Sequence, residues 1–189
     1  MTRRAGEVVA RSPRHVIRAA VAADAPGIAD VCTRAYRATY RDLLPSSFVE
    51  DVITRFYDED RVRSEVAPAP PHWLGYVVAA AGSPGERGSV LGAAGGAITG
   101  EGVGELYVLY LDPDRRGEGI GTRLLDHVTV QLRDHGAREM WVSVAEGNDR
   151  GVPFYRARGF VERGRVPMHT SEVSDGLWSL RMFRPLGGG

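Results

Sequence analysis

Cysteine is almost absent from this 189-residue chain, in which Cys32 is the only one. A lone cysteine cannot form a disulfide within the chain, and it has no cysteine partner for a metal site. The five histidines show no metal-ligand spacing either, so we expect no metal ion. A chain without disulfides suits a reducing compartment, and the cytoplasm is therefore the expected location.

The chain also lacks net charge and long apolar runs. Lys+Arg and Asp+Glu both number 24, so the formal net charge is zero and no long-range field would attract nucleic acid or anionic lipid. No apolar stretch is long enough for a signal-peptide core or a membrane span. We therefore expect neither a nucleic acid nor a membrane as partner, and any bound anion must be held by local groups.

Hydrophobic residues make up 43% of the sequence, which is enough for one full-sized core. We predict a single domain over residues 15–186, preceded by a flexible tail over residues 1–14. Periodicity and turn residues predict the order strand, two helices, three strands, helix, strand, helix, two strands. This order indicates an α/β fold in one layered domain.

Capping residues and apolar periodicity place the helices. The first begins at Asp24 and the second at Ser47, which forms a capping-box pattern with Glu50. The predicted helices cover residues 24–41, 47–66, 120–135 and 149–158. The predicted strands cover residues 15–21, 73–81, 90–98, 105–111, 140–144, 160–161 and 177–183. The strand over 105–111 is almost wholly apolar, which is typical of a central strand covered on both faces.

The strongest local signal is a glycine-rich loop, Arg116-Gly117-Glu118-Gly119-Ile120-Gly121-Thr122, between that strand and the third helix. Glycines let the backbone approach an oxyanion closely, and amides at a helix N-terminus point toward it. Arg115, Arg116 and Arg123 could add charge-assisted hydrogen bonds. The loop therefore predicts a phosphate site.

Three other interpretations compete for these residues. A Walker-type loop requires a lysine that Gly121-Thr122-Arg123 lacks. A dinucleotide fingerprint requires a third glycine where Thr122 stands, so it fits poorly. The loop could also be a plain helix start, with glycines serving only the turn.

The loop and its surroundings resemble the GNAT superfamily of N-acetyltransferases. Residues 116–121 look like the Arg/Gln-x-x-Gly-x-Gly/Ala signature of that superfamily. Residues 104–113 resemble its fourth strand, and Asn148 followed by residues 154–160 resembles its second motif. One departure is Gly151, where the family often has alanine, and it predicts a less firm start for the following helix.

The resemblance implies a mixed central sheet splayed between the fourth and fifth strands and flanked by helices, with acetyl-CoA as cosubstrate in the opening. Pantetheine would pair with Leu109, Tyr110 and Leu111, and the amides of residues 116–122 would hold the pyrophosphate. Asn148 would contact pantetheine or nearby backbone. The full set of implied cofactor contacts is Leu109, Tyr110, Leu111, Arg115, Arg116, Gly117, Glu118, Gly119, Ile120, Gly121, Thr122, Asn148, Phe154 and Tyr155.

The resemblance also implies two catalytic residues. Glu105 would be the general base, acting directly or through water, and Tyr155 would be the acid that protonates the leaving thiolate. Each has an alternative interpretation. Glu105 could form an ion pair with an arginine, and Tyr155 could be an ordinary core aromatic. Tyr36 and Tyr40, four residues apart, could belong to the acceptor pocket or to the core.

The predicted activity is transfer of the acetyl group of acetyl-CoA to a primary amine by direct attack. Two alternatives are a non-catalytic acyl-CoA-binding or regulatory domain and a nucleotide-binding protein that uses the same loop. The sequence does not identify the amine, and a monomer and a homodimer are both compatible with it. Residues 162–176 are predicted to be a loop that contributes to the acceptor pocket.

Overall fold

Seven strands and five α-helices follow one another in the computed structural model, which describes residues 15–81, 89–168 and 176–187. The helices are α1 (Ala25–Tyr40), α2 (Ser46–Phe56), α3 (Glu59–Glu65), α4 (Ile120–Asp134) and α5 (Gly151–Arg156). The strands are β1 (Val16–Ala19), β2 (Val77–Ala80), β3 (Val90–Gly100), β4 (Val103–Leu111), β5 (Glu139–Ala145), β6 (Val161–Pro167) and β7 (Trp178–Pro185). The predicted tail over residues 1–14 lies outside the described residues.

The strands form one mixed sheet in the order β1-β2-β3-β4-β5-β7-β6. All neighbouring strands are antiparallel except β4 and β5, which are parallel. The α/β fold predicted from the sequence is therefore confirmed. So is the splay between the fourth and fifth strands, because β4 pairs with β5 only over Val103 to Leu106 and the remainder of β4 diverges.

Two hydrophobic cores lie on opposite faces of the sheet. Alternate residues of β2 show this directly: Val78 and Ala80 belong to the core shared with α1, α2 and α3, whereas Val77 and Ala79 belong to the core shared with α4 and α5. Helices thus cover both faces, and the opening between β4 and β5 lies between the two helical layers.

The second predicted helix is two helices. The chain leaves the helical path at Tyr57, and the Asp58 carboxylate accepts hydrogen bonds from the amides of Asp60 and Arg61 at 3.1 and 3.2 Å to start α3. The capping box predicted at Ser47 and Glu50 is also wrong. Pro45 occupies the N-cap of α2 without a side-chain bond, and Glu50 instead pairs with Arg37 of α1.

Two strand boundaries differ from the prediction by more than two residues, and the burial of one strand also differs. The second strand begins at Val77 rather than residue 73, because the backbone of Trp73 bonds back to Ala69 in a local bridge. The strand predicted at 160–161 extends to Pro167, so the predicted loop over 162–176 is partly strand. The fourth strand is not covered on both faces throughout, since Tyr107 is 52% exposed where β4 leaves β5.

Candidate active site

A cleft of about 450 Å³ opens where β4 and β5 separate. A register shift between β3 and β4 at Tyr107 turns the following residues, so Leu109 and Leu111 face α4 while Tyr110 faces α1. Leu109, Tyr110 and Leu111 pair with β3 on one side, and none of the described strands pairs with their other edge. That edge has free backbone groups along the cleft, where a linear chain with amide groups could add as an extra strand.

The glycine loop lies at one end of the cleft. Gly117 and Gly119 have φ of +84° and +77°, a region that favours glycine, and a Cβ on either would meet nothing within 4 Å. Arg116, Gly117, Gly119, Ile120, Gly121 and Thr122 all line the cleft. Within the described part of the chain, no backbone amide of residues 116–122 donates to a protein acceptor. These amides, at the N-terminus of a 15-residue helix, are available to an anion.

Close packing beyond the loop fixes the width of the cleft. A Cβ on Gly121 would lie 3.3 Å from the Phe154 ring and 3.4 Å from Leu111. Arg158 stacks on Phe154, with 3.7 Å between its guanidinium carbon and the ring centroid, and donates to Thr122 Oγ1. The start of α4 is therefore held against α5 by side-chain contacts on the cleft wall.

Asn148 lines the cleft and organises α5. Its Oδ1 accepts hydrogen bonds from the amides of Arg150 at 3.2 Å and Gly151 at 2.8 Å, so two amides of the first turn are satisfied. A Cβ on Gly151 would lie 2.8 Å from Asn148 Nδ2. The missing side chain of Gly151 therefore lets Asn148 sit close to the helix, and how firmly this helix starts stays a prediction.

Tyr155 is buried on α5 and lines the cleft. Its ring makes edge contacts with Phe154 and Phe160, at centroid distances of 5.1 and 5.3 Å. Burial raises the pKa of the Tyr155 hydroxyl, with a smaller contribution in the same direction from Tyr40. The phenol is therefore protonated at neutral pH, as a proton donor must be.

Glu105 lies on β4 next to the cleft but does not line it. Its carboxylate forms an ion pair with Arg181 of β7, in which Arg181 Nη2 lies 3.3 Å from Oε2 and Nη1 donates to Oε1. Arg181 Nη1 also donates to Ser143 Oγ at 2.8 Å, and Ser143 lines the cleft. The ion pair that was the alternative interpretation is present, and it connects Glu105 to the cleft wall.

Three other charged residues near the loop do not face the cleft. Arg115 and Glu118 pair with each other at 3.5 Å on the exposed side of the loop. Arg123 Nη1 donates to the carbonyl of His15 at 3.2 Å. Of the three arginines expected to reach a phosphate, only Arg116 lines the cleft, because the turn of α4 directs Arg123 toward β1.

Several cleft residues were missed from the sequence. Arg158 is four residues after Phe154, a spacing that places both on one helical face and could have indicated it. Ser143 alternates with buried Val142 and Val144 on β5, a period-two signal for a side chain on the opposite face. Thr39, at the end of α1, was missed too. Of the two tyrosines considered for the acceptor pocket, Tyr40 lines the cleft and Tyr36 is packed in the core.

The described residues form neither a membrane-spanning helix nor a metal cluster. Over residues 15–81, 89–168 and 176–187, no helix is long and apolar enough to cross a membrane. The same residues contain no group of three His, Cys, Asp or Glu side chains arranged to hold a metal ion.

Comparison with known proteins places this geometry in a family. Residues 35–160, more than half of the chain, match the model described as "Acetyltransferase (GNAT) family". The mycothiol acetyltransferase of Geodermatophilus obscurus is 43% identical over 60 residues, which are 32% of this chain but only 20% of that protein. The chain therefore matches about a fifth of that curated relative.

Solved structures match nearly the whole chain. PaiA N-acetyltransferase from Thermoplasma acidophilum, in complex with coenzyme A, has a TM-score of 0.73 at 20% identity, covering 90% of this chain and 98% of that one. A GNAT superfamily phosphinothricin acetyltransferase from Sinorhizobium meliloti, in complex with AcCoA, has a TM-score of 0.60 at 27% identity, covering 93% and 90%.

Proposed function

Because the chain belongs to the GNAT acetyltransferase family, we propose that it transfers the acetyl group of acetyl-CoA to a primary amine. One observation carries the proposal: the amides of residues 116–122 have no acceptor within the described chain, and they lie at the end of a cleft between two separated strands. This pairing suits a diphosphate attached to a long, narrow tail. A phosphate alone would require no split sheet.

The cofactor fits the cleft in two parts. The amides around Gly117, Gly119 and Gly121 would bind the pyrophosphate, assisted by the Arg116 guanidinium. The free edge of β4 at Leu109 to Leu111 would bind the amide groups of pantetheine as a neighbouring strand would. Both structures in the comparison that contain CoA or AcCoA share this fold, which supports the assignment.

Direct transfer needs a neutral amine, which attacks the thioester carbonyl so that a C–N bond forms and the C–S bond breaks. An amine with a pKa near 10.4 is neutral in only about one molecule in a few thousand at pH 7, so a base is needed. Glu105 accepts the proton that the amine loses, and it does so through a water molecule. Its neighbours Leu106 and Tyr107 line the cleft, whereas the Glu105 carboxylate does not. Tyr155 supplies the proton to the departing thiolate.

The acceptor would approach from the α1 side of the split. There the cleft wall carries Thr39, Tyr40, Tyr107 and Ser143, which present hydroxyl groups and aromatic rings. Arg181 and Glu105 lie behind Ser143 and neutralise each other. Among the described residues, this wall is lined by hydroxyl groups and aromatic rings, which suit an amine that carries hydrogen-bonding groups of its own.

A thiol-release screen tests the proposal. Purified protein would be incubated with acetyl-CoA and amino acids, aminoglycosides, polyamines or short peptides, with an amine-free reaction as the blank. We expect amine-dependent CoA release for at least one class. CoA binding without release by any amine would favour the non-catalytic acyl-CoA-binding domain. Displacement of bound CoA by ATP or NAD at comparable concentration would favour the nucleotide-binding alternative.

A further inference from the structure

A second cleft, of about 410 Å³, lies between α4 and the end of β7. We call it the basic cleft, because its wall carries the guanidinium groups of Arg133, Arg158 and Arg184 and one carboxylate, Asp126. Arg158 lines both this cleft and the cleft between β4 and β5. The two spaces therefore share a wall residue.

The Arg184 guanidinium has more N–H donors than the described residues around it offer acceptors. Its Nη1 donates to the carbonyl of Arg158 at 3.1 Å and its Nη2 to Thr129 Oγ1 at 2.5 Å, while its Nε is buried without a partner. Its Nη2 also donates to Met140 Sδ at 3.9 Å, so about two of the five N–H groups of this guanidinium, including Nε, remain without a partner. Among the described residues, no carboxylate lies within 4.0 Å of it.

Arg158 resembles Arg184, whereas Arg133 is an exposed side chain at the rim of the basic cleft. Arg158 donates to the carbonyl of Phe154 at 2.8 Å and to Thr122, both neutral acceptors, and its Nε is also buried without a partner. Over residues 15–81, 89–168 and 176–187, neither Arg158 nor Arg133 forms an ion pair. By contrast Arg156, two residues before Arg158, pairs with Glu162 at 3.2 Å.

The electrostatics of the basic cleft agree with an excess of positive charge there. Burial lowers the pKa of Arg184, Arg133 and Arg158 lower it further, and Asp126 only partly opposes them. Three guanidinium groups against one carboxylate leave a local charge of about +2 in a chain whose formal net charge is zero. A half-buried cation with no carboxylate partner among the described residues is costly, and a bound anion would offset that cost.

We propose that the basic cleft binds a phosphomonoester dianion. Its charge matches the excess of two, and tetrahedral oxygens accept from arginine forks two at a time. The phosphomonoester has two possible sources: the 3′-phosphate of the CoA bound in the neighbouring cleft, or a separate phosphorylated molecule. Only the first source rests on the proposed function. In either case Arg158 couples the basic cleft to the cofactor.

The test compares CoA with 3′-dephospho-CoA by isothermal titration calorimetry. The variants are Arg133→Gln, which changes an exposed side chain, and Arg184→Lys, which keeps the charge but removes the fork. The matched control is Arg156→Gln, which removes the same charge outside the basic cleft. Thermal unfolding with added inorganic phosphate, against sodium chloride of equal ionic strength, provides the second arm.

If CoA supplies the phosphate, Arg133→Gln weakens CoA binding roughly tenfold and leaves 3′-dephospho-CoA binding unchanged. If a separate molecule supplies it, both cofactors bind every variant equally, and inorganic phosphate raises the Tm of the wild type but not of Arg133→Gln. The second result would support the basic cleft even if neither cofactor bound. The inference would be overturned if the wild type, Arg133→Gln and the Arg156→Gln control all bound each cofactor with the same affinity and all showed the same change in Tm with inorganic phosphate.

Discussion

Replacing Gly119 by alanine tests the phosphate loop most directly. Gly119 has φ of +77°, and a Cβ there would meet nothing within 4 Å, so the change adds backbone strain without a clash inside the protein. An L-residue in this left-handed region costs about 1–2 kcal/mol. The added methyl group would also stand in the cleft, where we propose that the pyrophosphate binds the amides.

The backbone strain at position 119 can either lower the stability of the protein or weaken CoA binding. If the loop keeps its shape, unfolding becomes easier by about 1–2 kcal/mol, which lowers the Tm by roughly 2–8 °C for a chain of this size. If the loop relaxes instead, its amides move away from their binding positions. The Kd for CoA then rises by about 5- to 30-fold. The methyl group adds to the second effect, so we expect the Kd for CoA to rise at least about fivefold.

Gly136 offers the matched control at the other end of the same helix. It has φ of +87°, and a Cβ there also meets nothing within 4 Å, but it does not line the cleft. Gly136→Ala should lower the Tm by a similar amount and leave CoA binding intact. Calorimetric titration of both variants with CoA, beside thermal unfolding, measures the difference. If both variants lost stability and both bound CoA as tightly as the wild type, the loop amides would not hold the cofactor.

Three further predictions concern catalysis and stability. Tyr155→Phe should keep CoA affinity, because the ring packing survives, while kcat falls by about 10²-fold; an unchanged kcat would exclude Tyr155 as the acid. Glu105→Gln should lower turnover by about 10²-fold or more and flatten the acidic limb of the pH–rate profile, so a profile identical to that of the wild type would remove Glu105 from the mechanism. Asp58→Ala should lower the free energy of unfolding in urea by about 1 kcal/mol through loss of the α3 cap, whereas Asp60→Ala, whose carboxylate bonds no amide, should lower it by a few tenths; equal losses would contradict the capping role.

The conformation of the glycine loop could be predicted because its signals are local. Glycine at positions 117 and 119 reports a backbone region that other residues avoid, and the apolar stripe that begins at Ile120 reports the helix that follows. The family resemblance then implied a split sheet, which no periodicity in the sequence reveals. The register of β4 against β5, which ends at Leu106, confirmed it.

The charged residues could not be placed from the sequence, because their partners are distant along the chain. Glu105 meets Arg181, 76 residues away, and nothing near either residue indicates the pair. Arg115 and Arg116 are adjacent and chemically identical, yet only Arg116 faces the cleft. The direction of a side chain depends on the path of the turn that carries it.

The sequence by itself determined the order of the seven strands along the chain, the conformation of the glycine loop and the residue types available to bind a phosphate. Each of these depends on neighbours a few positions away. Only the tertiary structure decided where the long helix divides at Tyr57, which arginines remain without a carboxylate, and that Gly151 makes room for Asn148. Those outcomes depend on contacts between segments that the chain brings together only when it folds, and the free energy of such contacts is absent from any local pattern.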